Sequence, residues 1–129
     1  MRVFKSKRFA KFARKEQIAD AVLCAAIGEI ENGKIDADLG GGVIKQRIAR
    51  PGAGKSGGFR SIILFRRGDR AFFVHCFAKS ELANIDLALE RDFKDLAKLL
   101  FSYSEEQIEI LLENEKFIEV KCDGENKIL

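Results

Sequence analysis

The sequence predicts a single α+β domain over residues 1–129, with helices first, then a curved antiparallel sheet, then more helices. Apolar residues recur at helical spacing before residue 33 and after residue 85, and strand-like segments occupy 43–50, 59–66 and 71–78. The length of 129 residues is that of one ordinary domain. Hydrophobic residues form 47% of the chain and there is one proline, which excludes a disordered or fibrous protein.

The N-terminal part of the chain predicts two helices. Phe9, Phe12 and Ala13 follow helical spacing in a short basic segment. A second apolar repeat begins at Lys15 and stops at the Asn-Gly pair of residues 32–33, which is typical of a helix C-terminus.

The middle of the chain predicts three strands. Three glycines at 40–42 lead into VIKQRIAR (43–50), which stops at Pro51, and the glycine-rich segment 52–58 predicts a flexible loop. FRSIILFR (59–66) and AFFVHCFA (71–78) predict a β-hairpin joined by the four residues 67–70. The GAGKS motif at 52–56 resembles part of a phosphate-binding loop, but a strand follows it where that motif needs a helix.

The C-terminal part of the chain predicts two helices and a short strand. One helical face carries Ile85 through Leu100, and Ser104 with Gln107 forms a capping-box pattern that opens another helix. An extended segment follows at 117–121, and the tail 123–129 is predicted to be loose.

Charge is distributed unevenly along the chain. Residues 1–80 hold 17 Lys and Arg against 7 Asp and Glu, whereas residues 81–129 hold 6 against 13, which together give the net charge of +3. Between residues 40 and 80 there are nine basic residues and one acid, Asp69. Such clustering indicates nucleic-acid binding, with a solvated basic surface as the alternative.

Cysteine content and hydropathy indicate a cytoplasmic protein. The odd number of cysteines, Cys24, Cys76 and Cys122, without a CxxC pair, predicts three reduced, isolated thiols and neither a metal site nor a cofactor. The longest apolar runs are far shorter than a membrane span, and no apolar signal-peptide segment follows the basic N-terminus.

The predicted hairpin divides its side chains between two faces. If residues 67–70 form the loop, Ile62 lies opposite His75 and Arg60 lies opposite Phe77, whereas a three-residue loop would place Arg60 beside Cys76. The buried face then comprises Phe59, Ser61, Ile63, Phe65, Phe72, Val74, Cys76 and Ala78. The open face gathers basic and aromatic groups around apolar ones: Arg60, Arg66, His75, Phe77 and Lys79 around Ile62, Leu64 and Phe73.

Cleavage of RNA by its own 2′-hydroxyl requires a proton acceptor, a proton donor and cations. Arg60, His75, Lys79 and Lys55 are the candidate catalytic residues. Each has a plainer alternative, because a single histidine is often structural and Lys79 fits a strand end. Arg66 and Phe77 are candidate RNA contacts, although Phe77 also suits a core position.

The segment GGFRSIILFRRGDRAFFVHCFAKSELANI, residues 57–85, resembles the RelE/HigB superfamily of bacterial type II toxins, in its RelE-like branch with an acidic helical tail. The resemblance extends to the glycine-rich region before it and to the segment 85–121. It implies a microbial-ribonuclease-type fold, cleavage of mRNA on the ribosome, and neutralisation by an antitoxin, usually a helix-turn-helix protein encoded next door.

The resemblance also implies roles for individual residues. The arginine of the family's strand start falls on Arg60, which is expected to stabilise the phosphate. The basic residue after the family's third strand falls on Lys79, and Phe77 is available to stack on a base. Lys45, Arg47 and Lys55 correspond to the basic residues of the preceding strand and loop. Some members carry a histidine where His75 stands.

One feature departs from the family pattern. The C-terminal tyrosine of one branch has no counterpart, because Tyr103 lies far along the acidic tail. Two interpretations follow, a ribosome-dependent endoribonuclease or a non-enzymatic protein of the same fold, either a ParE-like gyrase inhibitor or an RNA-binding module.

Overall fold

A computed structural model describes residues 1–50, 54–78 and 86–122. Within these residues the chain forms six strands and four helices. In chain order they are β1 (Arg2–Ser6), α1 (Lys7–Lys15), α2 (Asp20–Glu31), β2 (Ala37–Gly40), β3 (Val43–Arg50), β4 (Gly54–Arg66), β5 (Arg70–Ala78), α3 (Leu87–Ser102), α4 (Glu105–Glu113) and β6 (Phe117–Val120).

The strands form one mixed sheet in the order β2-β3-β4-β5-β1-β6. β1 pairs in parallel with β5, and the other neighbours are antiparallel. The α+β class is therefore confirmed, whereas the purely antiparallel three-stranded sheet is wrong. The sequence did not predict β1 because this strand is only five residues long and two of those residues are charged. Its partner strand β5 also lies more than sixty residues away along the chain.

Helices cover both faces of the sheet, and each interface has its own core. The first core lies between α1, α2 and one sheet face, and the second lies between α3, α4 and the other face. We call these faces the α2 face and the α3 face. The fully buried aromatic rings are divided between them: Phe9, Phe59 and Phe73 belong to the first core, and Phe4 and Phe72 to the second.

Local caps fix the helix ends where the sequence predicted them. The Ser104 hydroxyl accepts a hydrogen bond from the Gln107 amide, and the Gln107 side chain accepts one from the Ser104 amide, which completes the capping box. α2 ends at Asn32, followed by Gly33 at φ +85°. The prediction of two N-terminal and two C-terminal helices is confirmed.

The glycine-rich segment is partly strand. β4 begins at Gly54, which pairs with Arg50 of β3, so the predicted loop over 52–58 is wrong from residue 54 onward. Glycine weakens a strand locally, but pairing with a neighbouring strand overrides that preference. The end of the GAGKS motif is therefore itself part of a strand, and the predicted strand follows it where a phosphate-binding loop needs a helix. The predicted loose tail, 123–129, lies outside the described residues.

The cysteines correct another expectation. Cys24 of α2 and Cys122, two residues beyond β6, form a disulfide across 98 residues of sequence, so the prediction of three reduced thiols is wrong. Among the described cysteines, Cys76 is the one that is not part of a disulfide. The spacing of the two cysteines gave no signal because tertiary packing alone brings α2 beside the end of β6. In the described part of the chain, no helix is both long and apolar enough to cross a membrane.

Candidate anion-binding site

Two cross-strand rows on the α3 face bring together most of the predicted site residues. In the first row, Ile62 of β4 lies between Lys45 of β3 and His75 of β5. In the second row, Arg60 lies between Arg47 and Phe77 on the same three strands. Side chains directly opposite one another on neighbouring strands have Cβ atoms roughly 5 Å apart. Lys45, Arg47, Arg60, His75 and Phe77 therefore form one continuous patch, which we call the cationic patch.

A β-bulge at Val74 sets the register of these rows. The hairpin turn has three residues rather than the predicted four, since Arg66 pairs with Arg70 and Gly68 adopts φ +73°. The pairing then shifts between Ile62 and Ile63, because Val74 is an extra residue on β5. The bulge compensates for the shorter turn, so Arg60 still lies opposite Phe77 and not beside Cys76.

The bulge also corrects the predicted division of side chains near the turn. Phe72 and Val74 pack in the core beneath α3, whereas Phe73 packs on the α2 face, which reverses the prediction for all three. The α3 face is also less open than predicted, because α3 covers its turn-proximal half. At the other end of β4 and β5, Arg47 is exposed, Lys45, Arg60 and His75 are half-buried, and Phe77 is buried.

Arg47 and Arg60 place two positive charges directly opposite each other. Arg47 is exposed and Arg60 is half-buried, and neither guanidinium forms an ion pair with a carboxylate among the described residues. Like charges at such a position destabilise a sheet unless an anion lies between them. The pair is therefore suited to bind a phosphate, which a guanidinium contacts through two parallel hydrogen bonds.

His75 is a half-buried imidazole in an aromatic environment. Its ring lies 5.6 Å from the ring of Phe77 and 5.8 Å from that of Phe93 on α3, measured between centroids. Burial lowers the pKa of His75 below 6.5, and the positive charge of Arg8 lowers this pKa further. A histidine with a lowered pKa is neutral near pH 7 and is able to accept a proton.

Arg8 is a residue that sequence reasoning missed. It lies in the first turn of α1, which begins directly after β1, and the end of β1 pairs in parallel with Phe73 of β5, two residues before His75. The composition of α1 indicated that this helix carries a basic surface. Its buried residues are apolar, and its exposed side carries five cations and no acid: Lys7, Arg8, Lys11, Arg14 and Lys15.

Phe77 is 5% exposed, so its ring offers almost no free surface in this structure. Its contact with His75 and its place opposite Arg60 make it a support beneath the patch. The role in stacking on an RNA base stays a prediction, and it would require the ring to be uncovered.

Arg66 is separated from the patch. It lies six residues from Arg60 at the turn end of β4, roughly 20 Å along the strand. Its guanidinium lies 3.4 Å from the Phe101 carbonyl oxygen, near the end of α3. The structure therefore does not bring Arg66 to the other predicted RNA contacts.

The other two arginines of the turn also bind helix ends. Arg67 donates hydrogen bonds to the carbonyl oxygens of Ile30 and Glu31 at the end of α2. Arg70, 6% exposed, donates to the carbonyl oxygens of Leu100 in the last turn of α3 and of Tyr103 just after it. These bonds satisfy carbonyls that a helix leaves unpaired, so part of the basic cluster between residues 40 and 80 is structural.

Two predicted catalytic lysines have no described side-chain geometry. Lys79 lies outside the described residues, and Lys55 lies within β4 at a position where the side chain is not described. Their roles stay predictions. Among the residues with described positions, no group of three or more His, Cys, Asp or Glu side chains is arranged to hold a metal ion.

These features define a small α+β protein whose sheet presents a cationic patch beside one neutral imidazole. The RelE family, described as the RelE toxin of the RelE/RelB toxin-antitoxin system, matches residues 1–120. Since the match covers most of the chain, the protein belongs to the RelE toxin family, and its partner is a cognate antitoxin. No curated protein matches the chain at a significant level.

Proposed function

We propose that the protein is an endoribonuclease toxin that cleaves mRNA on the ribosome and so blocks translation. The observation that carries this proposal is the Arg47 and Arg60 pair, two cations without a described acidic partner, beside the neutral imidazole of His75. Family membership supports a toxin, and the patch supports an anionic substrate with a phosphodiester at its centre.

The proposed reaction is attack by a ribose 2′-hydroxyl on the adjacent phosphorus. His75 accepts the proton of that hydroxyl, a 2′-oxygen to phosphorus bond forms, and the bond from phosphorus to the 5′-oxygen breaks. Arg60 and Arg47 stabilise the negative charge that builds up on the non-bridging oxygens. Lys55 and Lys79 are the candidates to donate a proton to the leaving 5′-oxygen. The products are a 2′,3′-cyclic phosphate and a 5′-hydroxyl end.

Lys45 and the exposed cations of α1 extend the same surface and are the proposed contacts to RNA outside the cleaved bond. Ribosomes and mRNA are the proposed partners, and the cytoplasm is the proposed place of action. The proposed antitoxin is a helix-turn-helix protein.

The proposal is tested by adding purified protein to a translation reaction and mapping the mRNA ends by primer extension. Wild-type protein is expected to produce truncated mRNA, and Arg60→Gln is expected to lose at least about 100-fold in the cleavage step because transition-state charge is no longer stabilised. Circular dichroism establishes that the variant is folded.

Lys121→Gln is the matched control, because it removes one exposed charge just after β6, three strands from β4 in the sheet and at the end of β6 away from α1. It should cleave like wild type. Intact mRNA together with inhibited DNA supercoiling would contradict the proposal and favour a ParE-like gyrase inhibitor. Intact mRNA with RNA binding alone would favour a binding module.

A further inference from the structure

The disulfide between Cys24 and Cys122 is the feature that the proposed function does not use. Cys24 projects from α2, and Cys122 follows the edge strand β6, with their Cα atoms 5.4 Å apart. Both residues are half-buried and pack against the core beneath α2. Both residues also line a surface cleft, through which a dissolved thiol can approach the bond.

The bond ties α2 to the edge strand of the sheet. β6 is four residues long and pairs only with β1 among the described strands. A cleft of about 280 Å³ lies here, lined by Met1, Val3, Cys24, Ile27, Glu31 and Cys122. The disulfide therefore spans from α2 to the end of β6 across a surface where packing is incomplete.

The loop enclosed by this bond contains almost the whole fold. The two cysteines are 98 residues apart, so the bond restricts all of β2 to β6 together with α3 and α4 in the unfolded chain. A disulfide that closes a long loop removes more conformational freedom from the unfolded state than one that closes a short loop. The stability of the fold should therefore depend strongly on this bond.

We propose that the Cys24–Cys122 disulfide is a redox-reversible site at which thiol reductants of the glutathione type set the stability of the toxin. A reductant thiolate attacks one sulfur, the Cys24–Cys122 bond breaks, and a mixed disulfide forms. A second reductant thiolate then attacks the reductant's own sulfur in this mixed disulfide, so the bond to the protein sulfur breaks and the protein cysteine leaves as a thiolate. Two electrons pass to the protein, which gains two cysteine thiols, and the reductant leaves as its own disulfide.

The cationic patch is placed to remain intact in both states. It lies on the α3 face and spans β3, β4 and β5, whereas the disulfide lies on the α2 face beyond β6, at the opposite edge of the sheet. Reduction should therefore change how readily the protein unfolds, while the folded fraction keeps its RNA-binding surface. Degradation by proteases that act on unfolded chains would follow the redox state.

The experiment compares thermal unfolding of the full chain with and without reductant. Alkylation of the denatured, oxidised protein followed by mass spectrometry should modify Cys76 alone, and reduction should make all three cysteines reactive. Reduction should lower Tm by about 10–20 °C and speed limited proteolysis, because the unfolded chain regains its freedom. Complete unfolding in reductant would also support the proposal, because it would be the largest possible loss of stability on reduction.

Variants separate this bond from other effects of the reductant. Cys24→Ser with Cys122→Ser should unfold like the reduced wild type and should not respond to reductant. Cys76→Ser, the matched control, should keep the full response. If the serine variant does not fold, the reduced wild type still gives the comparison. Three reactive thiols in the oxidised chain, or an unchanged Tm after complete reduction, would overturn the proposal.

A titration with mixtures of reduced and oxidised glutathione tests reversibility. The proposal expects a midpoint within ratios that glutathione buffers can reach, followed by recovery of the original Tm on reoxidation. A bond that resists a large excess of reduced glutathione, or a Tm that does not recover, would overturn it.

Discussion

At the scale of single residues, the cationic patch places two arginines opposite each other beside a neutral imidazole. Arg47 and Arg60 are partners on neighbouring strands, and burial and the charge of Arg8 both oppose protonation of His75. This arrangement costs stability in the free protein and is relieved by a bound anion. It also leaves one proton acceptor beside the place where a phosphate would bind.

We predict that Arg8→Gln raises the pKa of His75, although not fully to 6.5, because the burial of the ring is unchanged. His75 is the only histidine, so its imidazole signal in an NMR pH titration needs no further assignment. Arg14→Gln, the matched control at the other end of α1, should leave the titration close to that of wild type. Equal shifts in the two variants would contradict a specific effect of Arg8.

We also predict how cleavage depends on pH. A base acts in its deprotonated form, so the single-turnover rate should rise with pH through the pKa of His75 and become level near neutral pH. In Arg8→Gln the rising part of the curve should move to higher pH together with the NMR titration. A rate that rises without following this titration would remove His75 from the role of base and leave it a binding role.

At the scale of elements, the β4–β5 turn serves as an anchor for two helices. Arg67 binds the end of α2, and Arg70 binds the end of α3 and also forms an ion pair of 2.7 Å with Glu105 at the start of α4. One turn thereby fixes helices on both faces of the sheet. Arginine is suited to this task because its planar fork donates several hydrogen bonds in fixed directions.

We predict that Arg70→Met lowers the free energy of unfolding by about 2–4 kcal/mol, because buried carbonyl oxygens lose their donor. Urea denaturation with an unchanged m-value measures this loss. Arg66→Met is the control, since the Arg66 side chain is 60% exposed and its change should stay within about 0.5 kcal/mol. Equal losses of unfolding free energy in the two variants would show that the buried contacts of Arg70 stabilise the fold no more than the exposed contacts of Arg66.

How far the sequence predicts the structure differs between local and distant features. The capping box at Ser104 and the helix end at Asn32 were predictable because their bonds join residues close in sequence. The parallel pairing of β1 and the Cys24–Cys122 bond join distant segments and leave no local pattern. The bulge at Val74 was also hidden, because valine suits either face of a strand.

The candidate site was predictable in composition but not in full arrangement. Arg60 and His75 were placed on one face through a four-residue turn, whereas the structure achieves the same placement with a three-residue turn and a bulge. Charge and strand alternation together predict an RNA contact for Arg66, but neither distinguishes a ligand contact from a helix-end contact. Arg8 was missed because only tertiary packing brings α1 to His75.

At the scale of the whole molecule, three acids of the C-terminal part form ion pairs that hold the fold together. The guanidinium of Arg2 binds Glu105, Glu109 and Glu119 at distances of 2.7 to 2.9 Å, which joins β1 to α4 and β6. The hydrogen bond from Arg2 holds the pKa of Glu119 below its usual range. These acids are therefore engaged at the β6 edge, while the cations of α1 form no ion pair among the described residues.

The last prediction follows from this separation of charge. Lys7, Lys11 and Lys15 are exposed and follow one another at intervals of four residues, so they form a single row along α1. If that row contacts phosphates, replacing all three lysines with glutamine should reduce the slope of log Kd against log salt for single-stranded RNA by about 2, at ~0.7 per lost contact. Fluorescence anisotropy at several salt concentrations measures the slope. The control replaces Lys34, Lys98 and Lys121, which are exposed and remove the same charge from positions away from α1, so its slope should change by less than about 0.5. Equal changes would mean that RNA responds only to net charge, and α1 would then have no place in the RNA-binding surface.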